Sequence, residues 1–371
     1  MTKLNHSIDL ATGCKYNYFY KTINKSGKQV ATIRDVAKKA NVHSSTVSRV
    51  FSGNLSISEA TRERVFAAAK ELGFWPNAIA RSLSTQRTNT IGIVIPHIFE
   101  GFFNDSFFPQ LMRGMLEASY KKGFRLIVGG CENYEDEIDQ IKQIMASSQA
   151  DGIIVMSSRL DVDTVGELQN HNTPFVLIGH PPSGENQGIA WVDADNQKAT
   201  QEAVQYLIDL GHKKIAFVGG DPENLTSQER EKSFNTTLDL AGIPRDPNLV
   251  HHGFFDESGG FNSVARMLKL GENSPTAFYA ANDLMAVGII RALKKNNIRV
   301  PEDISVIGTN NAPISEYAQP AISTVDVPYA KMAGKAVEML IEKIEQGEMS
   351  QTNFTLECSL VLRDSTAEFQ N

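Results

Sequence analysis

From Ile91 onward the chain alternates short, unbroken apolar runs with longer amphipathic stretches, and this rhythm narrows the possible folds more than any other feature. The runs 91–96 (IGIVIP), 124–129 (FRLIVG), 152–156 (GIIVM), 175–178 (FVLI), 189–193 (IAWVD), 214–219 (KIAFVG), 276–281 (TAFYAA) and 304–308 (ISVIG) read as strands. Helical patterns fall between them, near 108–121, 135–148, 195–210, 227–241, 258–270 and 283–296. A strand that is apolar at every position is buried on both faces, and strand–helix alternation supplies the covering layers. The expected class is therefore α/β, with parallel sheets between helices. The units are too many for one sheet of ordinary size, so residues 91–365 are expected to form two doubly wound lobes side by side.

A body of this size needs no staple. The chain's three cysteines, Cys14, Cys131 and Cys358, are far apart, which excludes a disulfide framework and a paired CxxC metal site and fits a reducing compartment. No stretch approaches the roughly 18 apolar residues of a membrane span. The N-terminus has no apolar run of the secretory kind, so the expected location is the cytoplasm and no membrane partner is expected. Enzyme signatures are missing too. There is no phosphate-binding P-loop and no zinc-type histidine spacing, and Gly219-Gly220 is too sparse for a dinucleotide turn. No catalytic residue, cofactor or metal is expected. Of the eight histidines, His212 follows Gly211 at a helix end, where a cation is favoured, and His251-His252 sits at a strand end near the surface.

The net charge of −7 hides an asymmetry. Residues 31–90 carry nine Lys and Arg against four acids, whereas residues 91–371 carry 22 against 38. A basic head on an acidic body fits a polyanion that meets the head alone, and a merely solvated basic face gives the same count. Residues 1–30 show no periodicity and read as a disordered extension or as an artefact of the assigned start.

Over 31–75 three short helices are predicted. Thr32 and Asp35 form a capping-box start, and Ile33, Val36, Ala37 and Ala40 make one apolar stripe. After a break at Asn41-Val42, a second helix turns Val47, Val50 and Phe51 inward and leaves His43, Ser44, Ser45, Ser48 and Arg49 elsewhere. Ser58 is the expected cap of a third helix, with Val65, Ala68, Ala69 and Leu72 inward and Gly73 closing it. Two short helices, a tight turn and a covering helix make a helix-turn-helix unit. Serines are mediocre helix formers, so propensity does not explain the hydroxyl-rich second helix. Small donor/acceptor side chains bring a helix close to base edges, and Arg49 has the fork to bond a guanine twice; a solvated surface helix is the plain alternative.

These residues carry a resemblance. Thr32-Ile33-x-Asp35-Val36-Ala37, Ser45-Thr46-Val47-Ser48-Arg49-Val50, and Leu72-Gly73-Phe74-x-Pro76-Asn77-x-x-Ala80-Arg81-Ser82-Leu83 resemble the DNA-binding head of the lactose-repressor/galactose-repressor family. In the body, Gly211-His212-Lys213-Lys214-Ile215, Ala281-Asn282-Asp283-x-Met285-Ala286 and Pro301-x-Asp303-Ile304-Ser305 are similar to the periplasmic-binding-protein-like part of the same family. The resemblance spans about 31–365. It implies that residues 76–90 are a hinge helix and linker that orders beside a second subunit, with Leu83 as the minor-groove wedge and Asn77, Ala80 and Arg81 at the DNA. It further implies a homodimer on double-stranded operator DNA, a small-molecule sugar effector and, in some members, a phosphocarrier corepressor. His43 stands where Ser is commoner, and Ser84 replaces a basic residue, so contacts at those places are expected to differ.

Parallel sheets bind ligands beyond the carboxyl ends of their strands. Just after the predicted strands stand Phe102, Arg159, Asp161, Arg230, Asn282, Asp283 and Asn310, with Trp191 and Asp195 near the crossover, a set of hydrogen-bonding groups and flat rings suited to a sugar. By family correspondence Arg230 and Asn282 are the leading contacts. Trp191-Val192-Asp193-x-Asp195-Asn196, Ser158-Arg159 and Asn310-Asn311 are similar to the maltose-operon repressors, which implies maltose or a maltooligosaccharide. The expected function is a repressor of carbohydrate-utilisation genes released by a sugar. Its rival is a sugar-binding receptor or transport component without an operator.

Overall fold

The computed structural model describes residues 31–52, 56–75, 82, 87–95, 107–131, 134–147, 149–156, 166, 168–170, 173–181 and 188–370. They belong to two compact units that divide between Arg87 and Thr88.

The first unit contains α1 (Ile33–Ala40), α2 (Ser44–Phe51) and α3 (Glu59–Leu72). Thr32 and Asp35 close the expected reciprocal box: the Asp35 amide donates to Thr32 Oγ1 at 3.4 Å, and the Thr32 amide donates to the Asp35 carboxylate at 2.8 Å. Asn41, at φ 52°, ends α1 in the left-handed region and turns the chain sharply into α2. Val36, Ala37, Ala40, Val47, Val50, Val65, Ala68 and Ala69 form a small shared core, with Phe51 edge-on to Phe66 at 5.5 Å on its margin. Ser58 occupies the predicted cap position but makes no bond to a helix amide; its hydroxyl donates to Thr61 Oγ1 at 2.9 Å. Gly73, at φ 63°, closes α3 as predicted.

The second unit has two six-stranded sheets. Numbered along the chain, β1 (Thr90–Ile95), β2 (Arg125–Gly130), β3 (Gly152–Val155), β4 (Phe175–Ile178), β5 (Trp191–Ala194) and β11 (Asn353–Leu356) form an all-parallel sheet in the order β11-β5-β4-β3-β1-β2. The second sheet, of β6 (Ile215–Gly219), β7 (Val250–His252), β8 (Ala277–Ala280), β9 (Ser305–Thr309), β10 (Ser323–Asp326) and β12 (Ser359–Val361), has the order β12-β10-β9-β8-β6-β7. Only β12 runs against its neighbour there. The two orders are topological copies of each other, the doubly wound pair that the apolar runs predict.

Helices α4 (Phe107–Lys121) and α5 (Tyr134–Ala146) follow β1 and β2, while α6 (Asn196–Asp209), α7 (Leu225–Leu240), α8 (Glu257–Met267), α9 (Asp283–Lys295) and α10 (Pro313–Tyr317) belong to the second lobe. The sequence reading places no helix or strand beyond 308, yet β10 is followed by α11 (Tyr329–Gln346), which returns to the first lobe and lies against β3, β4, β5 and α4. Its buried residues Met332, Ala333, Ala336, Val337, Leu340 and Ile341 trace one helical face. Gly114 lets α4 approach it, since a Cβ there would stand 2.0 Å from the Ala330 carbonyl oxygen. The chain therefore changes lobe three times, between β5 and α6, between β10 and α11, and between β11 and β12. The first and third passages are tied by the Asp195 amide, which donates to the Leu356 carbonyl at 2.9 Å.

His212 corrects an expectation. It is not a solvated cation at a helix end but is 3% exposed, with Nδ1 3.0 Å from Thr276 Oγ1 and Nε2 within 3.2 Å of Ser305 Oγ and the Ala367 carbonyl. Burial pushes its pKa down, so the ring stays neutral and anchors the 363–370 segment. His251 and His252 form β7 and are half-buried.

Candidate functional site

The first site element is the outer face of α2. Val47 and Val50 point into the core, which turns His43, Ser45, Ser48 and Arg49 outward, all four exposed; Ser44 is half-buried and Thr32, at the start of α1, is exposed. His43 is also the cap of this helix. Its Nδ1 accepts from the Ser45 amide at 3.3 Å and lies 2.8 Å from Ser45 Oγ. Capping fixes the imidazole at the positive end of α2 and leaves Ser48 and Arg49 one turn further along. The hinge candidates Asn77, Ala80, Arg81 and Leu83 lie outside the described residues, as do Phe102, Arg159 and Asp161 of the effector set.

The second element lies at the carboxyl ends of the strands, where the lobes meet. Asp195 sits at the passage from β5 to α6 and caps α6, its Oδ1 accepting from the Lys198 amide at 2.9 Å. Trp191 stands at the other end: it opens β5 of the first lobe, half-buried, and packs against the cluster of Val94, Leu177 and Ile189. On the second lobe Arg230 is 3% exposed; Nη1 donates to the Ala281 carbonyl at 2.7 Å and Nη2 to Asn196 Oδ1 at 3.0 Å. Burial disfavours the Arg230 charge, but Tyr329 and Tyr279 beside it hold the guanidinium protonated. Tyr329 in turn donates to Asn310 Oδ1 at 2.7 Å, and Asn310 holds φ 105° just past β9. Arg230, Asn196, Tyr329 and Asn310 are thus one buried hydrogen-bonded chain.

Asn282 and Asp283 have internal partners. Asn282 caps α9 through Oδ1, which accepts from the Met285 amide at 2.8 Å, and its Nδ2 donates to the Phe255 carbonyl at 2.8 Å. Both Asp283 oxygens accept bonds of 2.6 Å, one from the Ala312 amide and one from Thr324 Oγ1. A carboxylate engaged on both oxygens braces the loops around α9 and α10.

Sequence reasoning named Asp193 and Asn196 only within a motif, without a contact role, and missed Tyr329, His180 and Glu229. His180 Nδ1 is 2.7 Å from Asp193 Oδ2, its Nε2 is 3.3 Å from Glu229 Oε1, and the ring meets Trp191 edge-on at 6.2 Å. The rule of looking just past each strand finds His180 when applied to β4. Tyr329 opens a helix that the reading left out. The three ligand atoms of His180, Asp193 and Glu229 lie within 4.8 Å of one another. The carboxylates face opposite ring nitrogens, Asp193 at Nδ1 and Glu229 at Nε2. The arrangement suits an imidazolium, which has one N–H for each acid.

Known proteins share both elements. Residues 32–77 match "Bacterial regulatory proteins, lacI family", and residues 204–366 match "Periplasmic binding protein-like domain". Over 337 residues the chain is 33% identical to the HTH-type transcriptional repressor PurR of Aliivibrio salmonicida, covering 91% of this chain and 99% of the relative. It is 32% identical to the HTH-type transcriptional regulator CelR of Thermobifida fusca, covering 90% and 98%. Among solved structures, the lac repressor dimer bound to operator and the anti-inducer ONPF aligns with TM-score 0.80 at 26% identity, covering 91% of this chain and all of that one. The CelR–cellobiose complex aligns with TM-score 0.70 at 29% identity, covering 90% and 99%. The relatives are transcriptional repressors and regulators, a class without enzymatic turnover. This chain belongs to the lacI family of bacterial regulatory proteins and is a transcriptional regulator.

Proposed function

We propose that the protein is a homodimeric repressor that reads a near-palindromic operator through α2 and leaves it when a sugar fills the cleft between the lobes. In this reading residues 31–75 bind DNA, 76–90 form the hinge and 91–365 bind effector and dimerise, in the cytoplasm. His43, Ser44, Ser45, Ser48 and Arg49 read bases, Thr32 bonds a phosphate, and Asn77, Ala80, Arg81 and Leu83 act in the minor groove. Phe102, Arg159, Asp161, Trp191, Asp195, Arg230, Asn282, Asp283 and Asn310 surround the effector. The observation that carries the reading is Arg230: a buried guanidinium, oriented by Ala281 and Asn196 at the strand ends, is a rigid donor for sugar hydroxyls. An effector that binds open and closed lobes unequally shifts their balance, and operator affinity follows.

Maltose or a maltooligosaccharide is the proposed effector on the Trp191–Asn196 and Asn310-Asn311 motifs. The solved neighbours with cellobiose and ribose place those two sugars beside it in the test. A phosphocarrier corepressor is a further proposed partner. Footprinting on the DNA upstream of the protein's own gene, with and without maltose, cellobiose and ribose, tests the whole reading. A protected near-palindrome released by one sugar is expected. Binding that prefers no duplex over random competitor at about 200 mM salt overturns the repressor. Calorimetric heat from a purine and from no sugar overturns the effector class.

A further inference from the structure

His180 and Asp193 belong to the first lobe, Glu229 to α7 of the second, so the His180–Glu229 contact spans the junction beside the β5–α6 passage. A neutral imidazole owns one N–H. If it satisfies Asp193, it turns a lone pair toward the Glu229 carboxylate; only the imidazolium donates to both. The side chains are largely sheltered, at 25% exposure for His180, 8% for Asp193 and 20% for Glu229, which strengthens the pairing over that of a solvated ion pair. Glu229 immediately precedes Arg230, so whatever holds the first turns of α7 also holds the guanidinium.

We propose that His180, as imidazolium, is a positioning residue that clamps α7 of the second lobe to β5 of the first and so fixes Arg230, the residue after Glu229 on α7, against the β5–α6 passage. This rests on the effector reading above for its consequence, but not for the clamp itself. The bond to Asp193 raises the His180 pKa above its ordinary value; burial opposes this, and the Glu229 charge adds to it. Burial likewise raises Glu229, while His180 and Arg230 favour its ionised form and Gln197 donates to it at 3.4 Å. Around the triad stand Arg230 on α7 and, on the passages between lobes, Asp195 and Cys358, whose thiol burial pushes up to about 11 and so keeps neutral. The clamp is present below the raised His180 pKa and is lost as pH rises through it.

Two tryptophans simplify the test, because Trp75→Phe leaves Trp191 as the sole indole, in ring contact with His180. An imidazolium quenches a neighbouring indole. In the full chain carrying Trp75→Phe, emission is expected to rise with pH through a midpoint above 6.5, to lose that transition in His180→Gln, and to shift its midpoint downward in Glu229→Gln. A midpoint at or below 6.5, or one that Glu229→Gln leaves in place, overturns the clamp. Titration calorimetry with maltose and with cellobiose at pH 6.5 and 8.5 then reads its consequence. The binding sugar is expected to weaken roughly three- to thirtyfold at the higher pH, the span between an exposed pair and a charged hydrogen bond. His180→Arg, a permanent cation, is expected to abolish that dependence; an unchanged pH profile in His180→Arg overturns the positioning role. Absence of heat from both sugars refutes the effector reading and leaves the fluorescence result to decide the clamp.

Discussion

Arg230→Ala tests the buried chain at the strand ends most directly. The truncation removes bonds of 2.7 and 3.0 Å and leaves the Ala281 carbonyl and Asn196 Oδ1 facing a void. A hydrogen bond to a charged group contributes about 1.5–3 kcal/mol, so two set a ceiling of about 6 kcal/mol. Water entering from the cleft rehydrates part of the exposed surface, and a loss of about 3 kcal/mol is the working figure. For a unit of this size each kcal/mol lowers Tm by roughly 2–4 °C, so the full-length variant is expected to melt about 6–12 °C early in scanning calorimetry. Pairing it with Asn196→Ala in a double-mutant cycle is expected to give a coupling of about 1–2 kcal/mol, because each residue then lacks its partner already. Sugar-dependent release of operator DNA, measured well below the lowered Tm, is expected to vanish while operator affinity stays within about twofold. A Tm within about 1 °C of the parent, or additive effects in the cycle, would refute the account of Arg230 as the buried node.

Arg49→Ala is expected to weaken binding to the preferred operator by about 1–3 kcal/mol in gel shifts and to relax a single base position; equal loss on every duplex would remove base readout from Arg49. His212 has a folded pKa below its unfolded one, so its stabilisation is complete above about pH 6.5 and declines as pH falls through the folded value. Between pH 7 and 5 the parent is thus expected to lose stability faster than His212→Gln, by at most about 1.4 kcal/mol per pH unit, in urea melts at stepped pH. Gly288→Ala puts a Cβ 2.0 Å from the Glu257 carbonyl oxygen where α8 and α9 cross, and should cost about 1–3 kcal/mol, read as a lower urea midpoint with an unchanged slope.

The apolar runs made the two sheets legible because a parallel strand buried on both faces needs no partner information to be recognised. The head was legible for a different reason: caps and glycines such as Thr32, Asp35 and Gly73 act within a few residues. What escaped was set by distant sequence. β11 and β12 are four and three residues long, with no fully buried side chain, and acquire strand geometry only by adding to edges built earlier in the chain. Asp283 reads as a ligand group from its place after β8; that Ala312 and Thr324 occupy it depends on turns that no local pattern shows. His212 misleads in the same way, since a helix end on the surface and one roofed by Ala367 have the same neighbours in sequence. His180 and Glu229 stand 49 positions apart and meet only because α7 folds back over the junction.

The triple passage between lobes has a consequence for biogenesis. A ribosome that has made residues 88–195 has delivered five of the six strands of the first sheet, but the sixth arrives only with residues 353–356, after five of the six strands of the second. The helix covering β3 to β5 comes almost as late, with residues 329–346. Through most of its synthesis the first lobe must wait with an open strand edge and a bare apolar face, and a nascent chain stalled before residue 329 should be a strong client for chaperones that recognise such surfaces.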